Sequence, residues 1–176
     1  MSEYRNFNVL FLCTGNSSRS IIAEAVLNAT GAGRFRAYSA GSHPAGSVHP
    51  FAHEQIERLG FSTSDLRSKS WDEFAVQDAP HMDFVITVCD KAAGEVCPIW
   101  PGRPITAHWG FEDPASFIGD EQAHRQRFAR ICREIKNRLD VFSMLPFETL
   151  SRLAIEKQVN AIGQPTETAD QHTLRT

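Results

Sequence analysis

Positive charge is in short supply. Lys and Arg number 18 against 21 Asp and Glu, a formal net charge of −3. Such a chain has no basic field to hold a polyphosphate backbone, so no nucleic-acid partner is expected. Long apolar runs are also missing, and nothing approaches the roughly 20 residues of a membrane span, so no membrane partner is expected. Residues 1 to 8 are polar and the apolar run after them is short, unlike a secretory leader, and the expected location is the cytoplasm. Cysteine is sparse: Cys13, Cys89, Cys97 and Cys132. Four thiols are enough for two structural disulfides, but a reducing compartment does not keep them. The Walker loop with its lysine, the dinucleotide Gly pattern and the closely spaced Cys pairs of zinc sites are all absent, as are internal repeats. No metal and no tightly bound cofactor are expected.

What is present is concentrated between residues 8 and 26, NVLFLCTGNSSRSIIAEAV. The apolar run Val9-Leu10-Phe11-Leu12 ends at Cys13. A polar loop, Thr14-Gly15-Asn16-Ser17-Ser18, leads to Arg19, and Ile21, Ile22, Ala25, Val26 and Ala29 then repeat at helical spacing. This reads as strand, tight loop, helix. A five-residue loop at a helix start turns successive N–H groups around one tetrahedral oxyanion, and Arg19 adds a fork of donors. The same positive surroundings lower a thiol pKa and make Cys13 a nucleophile. Asn16 is placed to hold the loop through its side chain, Ser20 to give a hydroxyl hydrogen bond to the thiolate, and Ser17 and Ser18 to close the loop.

Along the chain, strands are expected at about 8–12, 35–40, 83–88 and 105–109. Helices are expected at about 18–30, after Pro50 up to Gly60, briefly near 71–75, at 120–139 and at 148–161, the last amphipathic through Leu150, Leu153, Ala154 and Val159. Residues 90–103 read mainly as loop with a possible short helix, and the polar tail from Gly163 as disordered. Strands alternating with helices give a small doubly wound α/β parallel sheet. Such sheets bind ligands beyond the carboxyl ends of their strands. Cys13, Cys89 and the stretch GFEDP after the fourth strand gather at that edge. Asp113 is suited to deliver a proton to a leaving oxygen, although a turn or capping residue has the same composition. Cys132 lies on the apolar stripe of the 120–139 helix with Phe128, Ile131, Ile135 and Leu139 and reads as core. Trp109 reads as packing and His108 as a satisfied histidine; His43 and His49 are given no role.

The stretches CTGNSSRS, YSAG and DP resemble the low-molecular-weight protein tyrosine phosphatase family. VITVCDKAAGEVCP and HWGFEDPA are more similar to its thiol-dependent arsenate reductase branch. The resemblance covers about residues 7 to 142. It implies a three-layer fold with a four-stranded parallel sheet flanked by helices, over 1–145, with 146–176 as an additional C-terminal helix and tail. It implies that Cys13 is the nucleophile, that Arg19 and the amides of Thr14, Gly15, Asn16, Ser17 and Ser18 bind arsenate or phosphate, and that Asp113 is the general acid in phosphatase members and lies near the site in reductases. It also implies a relay: arsenate adds to Cys13, Cys89 attacks that sulfur and releases arsenite, Cys97 takes over the disulfide, and thioredoxin or another thiol reductant restores it. Seven residues separate Cys89 from Cys97, one more than in the thioredoxin-coupled pattern, and Ser18 stands where the branch carries a further cysteine. The resemblance puts Asn16, Glu24 and Ser39 at positions that hold potassium in some reductases, with Trp71, beside Asp72, at the fourth. The alternative activity is a low-molecular-weight tyrosine or small-molecule phosphatase; the aromatic pair that flanks such sites is not evident, since Ala115 follows Pro114.

Overall fold

The computed structural model describes residues 5–165. Four strands, β1 (Phe7–Cys13), β2 (Phe35–Gly41), β3 (Phe84–Thr87) and β4 (Ile105–His108), form one sheet in the order β2-β1-β3-β4, and every pairing is parallel. The connection from β1 runs first to one neighbour and then, after β2, the chain returns to the other side. The order therefore reverses beside β1, and the crevice opens at its carboxyl end, where Cys13 stands.

Side chains alternate across β1 with the strand period of two. Phe7, Val9, Phe11 and Cys13 face the larger core, built with α1 (Arg19–Thr30), α2 (Pro50–Arg58), α4 (Glu121–Ser143) and α5 (Arg152–Ile162). Leu10 and Leu12 face a smaller cluster closed by Phe74 of the 3₁₀ turn Trp71–Phe74, Met82, Val85 and Trp100. The expected strands and the four longer helices are all present, as is a single short turn of helix, α3 (Asp90–Ala93), in the 90–103 loop. No helix among the described residues is long and apolar enough to cross a membrane.

Two boundaries differ from the sequence expectation. Asp120 is the cap of α4, its carboxylate accepting from Ala123 N at 2.7 Å, and the helix runs on to Ser143 because Phe142 extends the buried stripe. The last helix begins at Arg152, not 148: Ser151 caps it by accepting from Ala154 N, and Pro146 to Leu150 form a turn that buries Phe147. The apolar stripe of α5 is Ile155 and Val159, one turn apart, which leaves Leu153 76% exposed on the other side, against the expectation for that residue. Helix α5 packs along β4, where Val159 O accepts from Trp109 Nε1 at 2.9 Å. Of the tail expected to be disordered, Gly163 caps α5 so close to the His108 carbonyl that a Cβ there would clash. Residues 166–176 lie outside the described residues.

Phe142 is fully buried, with the rings of Phe35, Phe84, Phe147 and Trp109 centred 5.2 to 5.6 Å away. It joins α4 to β2, to β3, to the residue after β4 and to the turn before α5. Phe142→Ala is expected to cost about 3–5 kcal/mol, read as a lower urea midpoint in equilibrium unfolding.

Candidate active site

The anion loop takes its shape from Asn16. Its backbone is left-handed (φ 43°) and its side chain is fully buried. Nδ2 donates to Ser20 Oγ at 2.8 Å and Ser39 Oγ at 3.0 Å, and Oδ1 accepts from Lys69 N at 2.9 Å. The loop carbonyls are turned away from the cavity: Thr14 O accepts from His43 N, Gly15 O from Ala45 N and Ser17 O from His49 N, all at 2.8 to 2.9 Å. Gly41 lies under the loop, where a Cβ would come within 2.4 Å of Thr14 O. This close approach explains the glycine of YSAG.

A cavity of about 480 Å³ lies above the loop, lined by Cys13, Thr14, Gly15, Ser17, Ser18, Arg19, Cys89, Asp90, Lys91, Phe111, Glu112, Asp113 and Ala115. Arg19 is anchored by Nη1 to Phe111 O at 2.9 Å. Its buried Nε and the buried Ser18 Oγ have no hydrogen-bond partner among the described residues. Unpaired buried donors are costly, and an oxyanion supplies the acceptors they lack. Asp113 faces Arg19, with Oδ2 3.7 Å from Nη2, and also caps the 3₁₀ turn Pro114–Ser116 by accepting from Ala115 N at 3.0 Å. The capping reading of Asp113 holds, and its carboxylate at the same time faces the cavity beside Arg19. Its neighbour Glu112 is paired with Arg127 and Arg130.

Cys13 ends β1 and Cys89 lies two residues past the end of the adjacent β3; both are buried and lie within hydrogen-bonding reach of one another. Cys89 Sγ also accepts from Ala92 N at 3.4 Å, capping α3. The hydrogen bond to Cys89, with burial, holds the Cys13 proton on far above the usual thiol range. That same bond, aided by the Ala92 amide and the Arg19 charge, brings Cys89 down to about 5. The pair thus carries one negative charge and one shared proton at neutral pH. Cys97 is apart: half-buried in the loop after α3, outside the cavity lining, with its thiol pushed up by burial and by Glu95. Ser20 Oγ accepts from Asn16, and no hydrogen bond links it to Cys13. Cys132 is buried in α4, its thiol raised to about 11 by burial. All four cysteines are free thiols.

Glu24 and Ser39 come together as the resemblance implied, with Ser39 Oγ donating to Glu24 Oε2 at 2.5 Å. The group that completes their pocket is Lys69, not Trp71. Its buried Nζ donates to Ser39 Oγ at 3.3 Å and Arg67 O at 3.0 Å and lies 3.7 Å from Glu24. Burial pushes Glu24 up and Lys69 down, and each is partly restored by the other's charge. Among the described residues no group of three or more His, Cys, Asp or Glu side chains is placed to hold a metal ion. Sequence reasoning missed Lys69 because a single lysine in LRSKSW has neither periodicity nor motif to mark it. His108 is satisfied, Nδ1 against Thr87 Oγ1 and Nε2 against Asp90 Oδ1, both at 2.8 Å.

Residues 8–158 match the low molecular weight phosphotyrosine protein phosphatase family. The chain belongs to it. Within the family it is similar to the arsenate reductase of Halalkalibacterium halodurans, 36% identical over 77% of this chain and 94% of that protein. Among solved structures it resembles a thioredoxin-dependent arsenate reductase of Corynebacterium glutamicum (TM-score 0.54, 27% identity), covering 80% of this chain and 65% of that one. It also resembles an arsenate reductase in the phosphate binding state (TM-score 0.60, 26% identity), covering 78% and 96%. Phosphatase-family membership accounts for the loop and its glycine. It leaves the second buried cysteine to be explained by chemistry.

The shared proton has a measurable signature. Ultraviolet thiolate absorbance is expected to equal one sulfur at neutral pH and to fade as pH falls through about 5, because a depressed pKa keeps the charged form down to that value. Cys13→Ala removes the donor and moves the midpoint up. A chain with no thiolate at neutral pH contradicts the shared-proton arrangement. Separately, Gly41→Ala forces Thr14 O aside and is expected to weaken phosphate binding at least about tenfold, or about 1.4 kcal/mol, by calorimetric titration.

Proposed function

We propose that this chain reduces arsenate to arsenite by a three-cysteine relay. The observation that carries the reading is the second buried thiol, Cys89, beside Cys13 in the same Arg19-lined cavity. Hydrolysis of a phosphate ester has no use for it; an oxyanion reduction requires it, because two electrons must come from sulfur. In the proposed sequence, the loop amides, Ser18 and Arg19 bind arsenate. Cys13 Sγ attacks arsenic as its proton passes to Cys89, and Asp113 protonates the departing oxygen, which leaves as water. Cys89 then attacks Cys13 Sγ. The sulfur–arsenic bond breaks, its electron pair stays on arsenic, the Cys89 proton goes to an arsenic-bound oxygen, and arsenite leaves. Arsenic gains two electrons and the Cys13–Cys89 disulfide forms.

Cys97 next gives up its proton and attacks Cys89; Cys13 leaves and takes up a proton as thiol, and Cys89–Cys97 remains. A dithiol reductant, thioredoxin or a related protein, then takes that disulfide. The loop that carries Cys97 supports this order, since Val96 before it and Ile99 after it are 95% and 94% exposed. Ala115 in the cavity wall, where a phosphotyrosine ring needs an aromatic neighbour, speaks against a tyrosine phosphatase.

The test is arsenite production from arsenate with thioredoxin, glutaredoxin or a small thiol as electron donor, with mass mapping of the oxidised chain. Cys89→Ser and Cys97→Ser are each expected to abolish multiple turnover, while slow phosphate-ester hydrolysis that depends on Cys13 survives in both. Full arsenate turnover in either variant sinks the relay.

A further inference from the structure

The segment from Gly110 to Pro114 is fastened to α4 by a row of basic side chains. Arg138 Nη1 donates to Gly110 O at 3.2 Å, and its guanidinium lies 4.3 Å from the centre of the Phe111 ring. Arg127 and Arg130 hold Glu112. His124 Nε2 lies 2.9 Å from Pro114 O. A carbonyl only accepts, so His124 carries its hydrogen on Nε2 whether the ring is neutral or charged. The arginine contacts to residues 110–112 lie before Asp113; the His124 tether lies after it, where Arg127 also stacks 4.7 Å from the centre of the Phe117 ring. Asp113 is thus the residue between two fastened points, and the direction of its carboxylate depends on both.

The His124 ring is itself held in place. Phe51 meets it edge-on at 5.3 Å, Phe128 lies at 5.4 Å and His49 at 5.9 Å. His49 stacks on Phe128 at 4.5 Å, caps α2 by accepting from Phe51 N at 3.1 Å, and donates its own backbone N–H to Ser17 O in the anion loop. The ring that fastens the Asp113 segment therefore rests against the residue that fastens the anion loop. Nothing in the relay uses this cluster.

We propose that His124 is a positioning residue. Its Nε2–H, through the Pro114 carbonyl, holds the Asp113 carboxyl over the cavity facing Arg19, and its contact with His49 sets that position relative to the anion loop. This rests on the assignment of Asp113 as proton donor made above. A residue that acts only through Asp113 has no effect once Asp113 can no longer give a proton, and this separates positioning from general support of the fold.

The experiment measures arsenite released in a single turnover when the fully reduced chain is mixed with arsenate, with no outside reductant. His124→Ala is expected to slow release about tenfold at saturating arsenate, with the half-saturating concentration unchanged, a part of the 10²–10⁴-fold that a positioned acid contributes. His124→Gln, which keeps an N–H within reach of Pro114 O, is expected to recover most of the rate. In an Asp113→Asn background, His124→Ala is expected to add less than about twofold. An unchanged rate in His124→Ala, or a full tenfold loss repeated on Asp113→Asn, overturns the proposal. So does a folded His124→Gln as slow as His124→Ala. If the wild-type chain releases no arsenite, the function proposed above fails instead. The same variants then decide the role of His124 on Cys13-dependent hydrolysis of a phosphate ester with a poor leaving group, where Asp113 again supplies the proton.

Discussion

One buried asparagine governs the geometry of the site. Asn16 turns the loop through a left-handed backbone and uses each polar atom of its side chain inside the protein. A loop carbonyl that faced the cavity would repel an oxyanion, so the loop is useful only when its carbonyls are drawn outward. Asn16 fixes the turn, and the backbone N–H groups of His43, Ala45 and His49 take up the carbonyls that result. The requirement spreads from there. Gly41 must be glycine because the loop crosses directly over it. Ser39, Glu24 and Lys69 form the floor on which the Asn16 amide rests, and a carboxylate buried beneath an anion site needs a cation beside it. Lys69 meets that need from within the chain. Removing either partner would leave a buried charge uncompensated next to the loop, which costs more than the pair itself contributes.

Cys13, its loop and Arg19 were legible from sequence because local order carries them: an apolar strand, five polar residues and an amphipathic helix leave little choice of arrangement. The four strands were legible for the same reason. Asp113 came from the short distance between the fourth strand and GFEDP. What sequence left hidden depends on groups far apart in the chain. Lys69 meets Glu24 and Ser39 across a sheet edge, and nothing in LRSKSW marks it. His124 looks like one more polar residue of α4 until the Pro114 carbonyl is seen to lie against it. The phase of α5 was misread because Leu153 and Ile155 are equally apolar; only the β4 surface decides which is buried.

In the relay proposed above, the two buried sulfurs and the outlying third form an arrangement with a direction. Cys13 and Cys89 share a proton under the influence of Arg19, so one of them is always ready to accept while the other attacks. Cys97 feels no such cation. Burial and Glu95 keep its thiol protonated, which stops it from competing for the oxyanion. A sulfur held as thiol is also the poorer leaving group, and that biases a Cys89–Cys97 disulfide toward attack by an outside thiolate at Cys97, with departure of Cys89. Cys89, with the lower pKa and the Ala92 amide beneath it, leaves readily and returns to its capping position on α3. Under the proposed relay the same helix cap serves the folded resting state and the end of the cycle, and the exposed loop around Cys97 is where an outside reductant would meet the chain.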